Sequence, residues 1–218
     1  MITAEHAHTH EFKLERFPDH AECALKFKLI YDGPLPSDKA GMASVKQEIR
    51  RQFHPQLREL WMTCPFLVKH ISDGQVQAIA ANYAIAGYGF VPLVRRKNFL
   101  SCRIEMMLLM RQPPYNAFLA GDLDNRVKTL IDGLRMPTQK SELGPSDVGP
   151  TPDENPFYCL LEDDCLIYEF QVRTDQLLAP KRPEQAHRDV VALLEVQIMT
   201  AQRSEIVSYF SGFQLVTE

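Results

Sequence analysis

The sequence predicts one sizeable soluble core built from both helices and strands, and three observations carry that expectation. Leu25, Phe27 and Leu29 alternate with more polar neighbours, the period of a half-buried strand. Val45, Ile49, Phe53, Leu57 and Trp61 recur at four-residue steps, as on a helix with one buried face. The 218 residues, 45% hydrophobic and 24% charged, suffice for one core with embellishments, yet hold no apolar run long enough to span a membrane.

In chain order, residues 1–20 are polar and His-rich, expected as an N-terminal arm without the apolar stretch of a secretory signal. His6, His8 and His10 have a spacing that suits a transition metal, but a loose terminal arm is the expectation. The main domain is placed at 21–200. It opens with a strand over Cys23 to Gly33 and a Pro/Gly loop. A helix follows from Ser44, which Pro55 should kink or divide because proline lacks the amide proton of the helix ladder. Phe53 and Trp61 read as core. A second helix is capped by Asp73 and runs through Val76, Ile79, Ala80 and Tyr83 toward Gly87. "YGFVPLVRRKNFLSCRIEMMLLMR" predicts a β-hairpin turning at Lys97 and Asn98, with Pro92 at a sheet edge.

Residues 137–156 hold five prolines and two glycines in twenty positions, a composition expected to give a mobile loop and no core. Two late strands are expected in "CLIYEFQVRT" and "RDVVALLEVQIMT". Residues 201–218 form a C-terminal extension, apolar enough to dock.

The formal net charge of −4 gives no global pull toward nucleic acid or anionic lipid, so a polyanion partner needs a local basic patch. Candidates are Lys46 with Arg50 and Arg51, the Arg95–Arg96–Lys97 turn, and Lys181 with Arg182. The Arg95–Lys97 turn is the preferred DNA contact, and Arg126 joins it. The five cysteines are odd in number and scattered, which favours a reducing cytoplasm over disulfides or a zinc knuckle. Cys165 is expected to pack in a strand.

The chemistry concentrates in "GDLDNRVKTLIDGL", Gly121 to Leu134. Val127, Leu130, Ile131 and Leu134 predict a helix with a core-facing stripe, and Asp124 its N-cap. Asp124, Lys128 and Asp132 share a polar line at four-residue steps. Asp122 lies two residues before Asp124, and in extended backbone that spacing points both carboxylates to one side. Adjacent carboxylates repel unless a cation lies between them, and oxygen ligands suit Mg²⁺ or Mn²⁺. Glu162, Asp163 and Asp164 could add further oxygens, with Lys128 beside a phosphate. That set suits metal-assisted phosphodiester hydrolysis. The spacing is equally that of a capped, solvated helix face followed by a polar turn.

The string "DLDNRVKTLIDGL", followed by "EDD" and a strand, resembles the RusA family of Holliday junction resolvases. The matching positions are Asp122, Asp124, Asn125, Lys128 and Asp132, then Asp163 and Asp164. The resemblance implies an α+β fold with a mixed β-sheet packed against helices, a homodimer, and Mg²⁺-dependent endonuclease action on branched DNA. Asp122, Asp124 and Asp164 would be metal ligands, with Asp163 a further ligand or a support. Lys128 would be the catalytic cation, and Asn125 and Asp132 would orient neighbours. Departures are the net acidic charge, the terminal segments, and about thirty residues between motif helix and Asp-Asp pair. Closing so long a loop adds little, since each doubling costs roughly 0.6 kcal/mol. The alternatives are a nuclease of the same fold on flaps, and a catalytically silent DNA-binding or interaction module.

Overall fold

The computed structural model describes residues 23–36, 42–110, 122–178 and 189–200. The N-terminal arm with its histidines, the Lys181–Arg182 pair and the C-terminal extension lie outside the described residues. The elements run β1 (Cys23–Pro34), α1 (Met42–Thr63), α2 (Pro65–Ser72), α3 (Gln75–Asn82), β2 (Ala84–Ile85), β3 (Tyr88–Val94), β4 (Leu100–Met110), α4 (Asp122–Leu134), β5 (Phe157–Leu161), β6 (Ile167–Gln176) and β7 (Asp189–Thr200).

The architecture is α+β, with two mixed sheets packed against helices. One sheet has the order β1-β7-β4-β6, with β7 antiparallel to both neighbours and β4 parallel to β6. The other has the order β2-β3-β5, with β3 parallel to β5. In β4 every second residue from Leu100 to Met110 is buried, so Cys102, Ile104, Met106 and Leu108 face the core. The other face of that sheet carries Lys26, Arg103, Glu169 and Glu195, and an apolar row of Ile30, Leu193 and Met107 in adjacent register. One apolar core joins both sheets to α1, through Leu29, Trp61, Val91, Ile104, Leu160 and Leu194.

The hairpin expectation is corrected. Phe90 to Val94 pair with β5 and Leu100 to Met110 pair with β7 and β6, so the two arms belong to different sheets. Arg96 to Asn98 form a single 3-10 turn that carries the chain between them. Pro92 opposes Cys159 of β5, and β2 reaches only as far as Gly89, so no named strand lies on its other side. Pro55 does not divide the first helix: α1 runs 22 residues with the proline inside it and exposed. The expected helix after Asp73 is α3, but its N-cap is Gly74 in the left-handed region, and α2 ends just before it.

Residues 137–156 also differ from expectation. Leu143 is 2% exposed and joins Tyr88, Phe90, Met136, Phe157 and Cys159 in a second small core. The rest is pinned by charge. Arg51 of α1 pairs with Asp147 at 2.8 Å and Glu154 at 2.9 Å, and the Tyr88 hydroxyl donates to Asp147 at 2.8 Å. Burial, then that bond to Asp147, pushes the Tyr88 phenol up to about 12. Thr151 and Glu154 close a capping box over the 3-10 turn Pro152–Glu154. A Pro-rich composition therefore contributes to a core here because a neighbouring helix supplies cations to hold it.

Candidate metal and nucleic-acid site

α4 is held by its buried stripe and by α1. Leu130 and Leu134 are at most 1% exposed. Gly133 meets Ile49 so closely that a β-carbon there would lie 2.3 Å from Ile49 Cγ2. Arg50 reaches from α1 across the C-terminal end of α4, donating to the carbonyls of Asp132 at 3.1 Å and Arg135 at 2.9 Å. A cation there meets the negative end of the helix dipole. Burial, and then Arg135 nearby, lower the Arg50 guanidinium to about 10, which leaves it charged at neutral pH.

The charges of α4 divide into two groups. Asp132 is 6% exposed and pairs with Lys46 at 2.6 Å and Arg135 at 3.4 Å, tying α4 to α1. Arg126, expected on DNA, is 8% exposed and donates to the Leu35 carbonyl at 2.5 Å. Its buried position suits an anchor for the chain after β1, and corrects the expectation of an exposed phosphate contact. Lys46, Arg50 and Arg51 are likewise consumed by Asp132, backbone carbonyls, Asp147 and Glu154. Asp124, Asn125 and Lys128 form the second group. All three are exposed, and among the described residues Asp124 and Lys128 make no side-chain hydrogen bond or ion pair.

Asp122 begins α4, and its side chain is not among the described ones. Helical backbone from Asp122 onward changes one inference: two residues of α-helix rotate by about 200°, so the extended-backbone argument for a shared side does not hold.

The second acidic cluster sits where β5 turns into β6. Asp163 Oδ1 accepts the Cys165 amide at 2.9 Å, and Oδ2 pairs with Arg96 at 2.9 Å. The Cys165 hydrogen bonds, more than Arg96, hold the Asp163 carboxyl down to about 2. Glu162 accepts the Arg96 amide at 2.9 Å. Asp164 is exposed at the start of the 3-10 turn Asp164–Leu166. Cys165 is exposed in that turn, outside any strand, with Arg96 donating to its sulfur at 3.2 Å. The basic turn therefore lies directly against the acidic one.

A backbone bridge between Arg135 and Leu161, with the Met136 amide donating to the Leu161 carbonyl at 2.9 Å, links the two clusters. It joins the C-terminal end of α4 to the strand leading into Asp163, whereas Asp124 occupies the other end, about 16 Å along the axis. Among the described residues, which do not include the Asp122 side chain, no three His, Cys, Asp or Glu side chains converge as a metal site would require. The donor chemistry, carboxylate oxygens alone, is that of Mg²⁺ or Mn²⁺.

Sequence reasoning missed an open hollow of about 420 Å³ beside the basic turn, lined by Arg96, Phe99, Leu166 and Tyr168 among others. The aromatic after "RRKN" and the one after "DDCLI" are the signal that could have found it.

No family model matches the chain, and no match was found among curated proteins or solved structures. No helix among the described residues is long and apolar enough to cross a membrane.

Proposed function

We propose that the protein is a Mg²⁺-dependent endodeoxyribonuclease of the RusA type, acting as a homodimer on Holliday junctions or other branched DNA in recombination or fork repair. One observation carries the reading. On α4 the charges that hold the fold are buried and paired, whereas Asp124 and Lys128 of the motif stand exposed in its first two turns, with no ion pair among the described residues. The pair is not used to hold the fold, which leaves it available to a polyanion with its cation.

In this reading Asp122, Asp124 and Asp164 hold the ion, which requires the acidic turn to move toward the start of α4 from its position beyond the helix's other end, and Asp163 either joins them or fixes the turn. The ion, when bound, supplies charge neutralisation at phosphorus and acidifies water. Lys128 stabilises negative charge on the phosphate, and Arg95, Arg96 and Lys97 meet the backbone of the strand. The apolar row of exposed Ile30 and Leu193 with half-buried Met107 supports contact with a second copy.

A second reading is a nucleic-acid-binding module without turnover. Its support is the Arg96–Asp163 ion pair, which already supplies the acidic turn with a positive partner. Incubating the purified protein with four-way, flap and linear duplexes, in Mg²⁺ and in EDTA, separates the two. Cleavage of branched substrates in Mg²⁺ alone is the expected result. Binding without cleavage under any divalent cation overturns the nuclease reading.

A further inference from the structure

We propose that the hollow between Phe99 and Tyr168 receives the ring of an unpaired nucleotide base, making the Arg96 turn a single-strand contact and not only a phosphate clamp. The inference rests on the nucleic-acid reading above for the kind of polymer that brings the ring.

Phe99 is the first support. It follows the 3-10 turn Arg96–Asn98 with φ +52, a left-handed conformation that a bulky aromatic seldom adopts. Its amide donates to the Arg96 carbonyl at 3.0 Å, so the turn itself enforces that conformation. The ring is 57% exposed. A strained backbone normally carries a glycine or asparagine, and an exposed side chain normally is not phenylalanine. Folding accounts for neither choice, and strained residues that persist in a fold collect at ligand sites.

Tyr168 is the second. It lies at the start of β6, 37% exposed, on the other element lining the same hollow. Arg96 completes the set: its guanidinium is held by Asp163 and by the Cys165 sulfur, which fixes a planar cation at the rim. Two aromatic rings and a positioned guanidinium are the surfaces on which bases stack, and every base offers a face to them whatever its sequence. Lys97 is exposed beside them with no ion pair among the described residues, which leaves it for a phosphate. An apolar peptide would use the rings but not that cation. A hollow of about 420 Å³ lies within the range of small-ligand sites.

The test uses full-length protein in EDTA, where hydrolysis is excluded, with a labelled ten-nucleotide deoxythymidine oligomer and a blunt duplex of equal length, followed by fluorescence anisotropy. The single strand is expected to bind more tightly than the duplex. F99G and Y168L should each weaken single-strand binding at least roughly fivefold, and F99W should retain it. F99G gives the fold reading its own control: glycine is at ease at φ +52, so its melting temperature should hold or rise while affinity falls. Unchanged affinity in F99G and Y168L overturns the inference, as does an oligomer that the parent protein does not bind. The same variants are assayed for cleavage of branched DNA in Mg²⁺. A parent that binds the oligomer through Phe99 but cuts nothing overturns the nuclease reading alone. A parent that cuts branched DNA while F99G binds and cuts as before overturns this inference alone.

Discussion

The backbone amide of Tyr158 donates to Nδ1 of His54 at 2.9 Å, across 104 residues of chain. Nδ1 therefore carries a lone pair, and Nε2 of the same ring donates to the Asp153 carbonyl at 3.0 Å. The ring also stacks on Phe157 at 4.5 Å between centroids. One neutral tautomer thus joins α1, β5 and the Pro-rich segment, and burial lowers the His54 pKa below its ordinary value. A histidine with a lowered folded pKa takes up its proton more readily when unfolded. Stability from this site is complete above about pH 6.5, is lost as pH falls from there toward the folded value, and loses nothing further below it. His54→Phe keeps the stacking but strands the Tyr158 amide, at about 1–3 kcal/mol. Urea midpoints between pH 5 and 8 should show the parent's acid slope reduced in the variant. Equal slopes would show that His54 does not titrate in this window.

Arg51 predicts the behaviour of residues 137–156. Its fork spans Asp147, Glu154 and the Tyr88 hydroxyl, and Asp147 and Glu154 are largely buried. Arg51→Met should cost about 2–3 kcal/mol, because two carboxylates lose their cation in a partly buried place. Protease nicking inside 137–156 should accelerate along with that loss. Arg51→Lys should rescue little, since an ammonium cannot reproduce the fork.

Gly133 reverses the usual helix rule. Alanine inside a helix normally gains about 1 kcal/mol over glycine. Here its β-carbon would fall 2.3 Å from Ile49 Cγ2, so Gly133→Ala should destabilise by about 1–3 kcal/mol through overpacking. Ile49→Ala in the same chain should relieve part of that, a coupling that a double-mutant cycle by denaturant titration would read.

Asp124 and Lys128 carry the functional prediction. Asp124→Asn and Lys128→Met should each reduce cleavage of branched DNA by about two orders of magnitude or more. Both residues are exposed, so melting temperatures should stay within about 1–2 °C of the parent. Junction binding in EDTA should survive Asp124→Asn. Full cleavage by either variant would remove that residue from the chemistry.

Periodicity was informative where one face of an element is wet. Leu25, Phe27 and Leu29 announced β1, and the four-residue steps from Val45 announced α1, because burial on one side leaves a pattern. β5 escaped because "FYCLL" is buried on both faces: Phe157 and Cys159 face the small core, and Tyr158 and Leu160 the large one. β3 and β4 looked like a hairpin because sequence shows a turn but not which sheet each arm joins. The basic residues of α1 looked like phosphate contacts because their acidic partners, Asp132, Asp147 and Glu154, lie more than eighty residues away. At the candidate site the Asp124–Lys128 step was legible and both side chains are exposed. The Arg96–Asp163 ion pair was not, since it depends on β3 and β5 running side by side.

β7 lies inside the four-stranded sheet, yet it pairs its Leu194 with Leu29, a residue met 165 positions earlier in synthesis. Until β7 leaves the ribosome, β1 and the β7-facing side of β4 are open edges able to pair with any extended polypeptide nearby. Nascent chains halted before residue 189 should therefore depend on chaperones in a way the finished molecule does not.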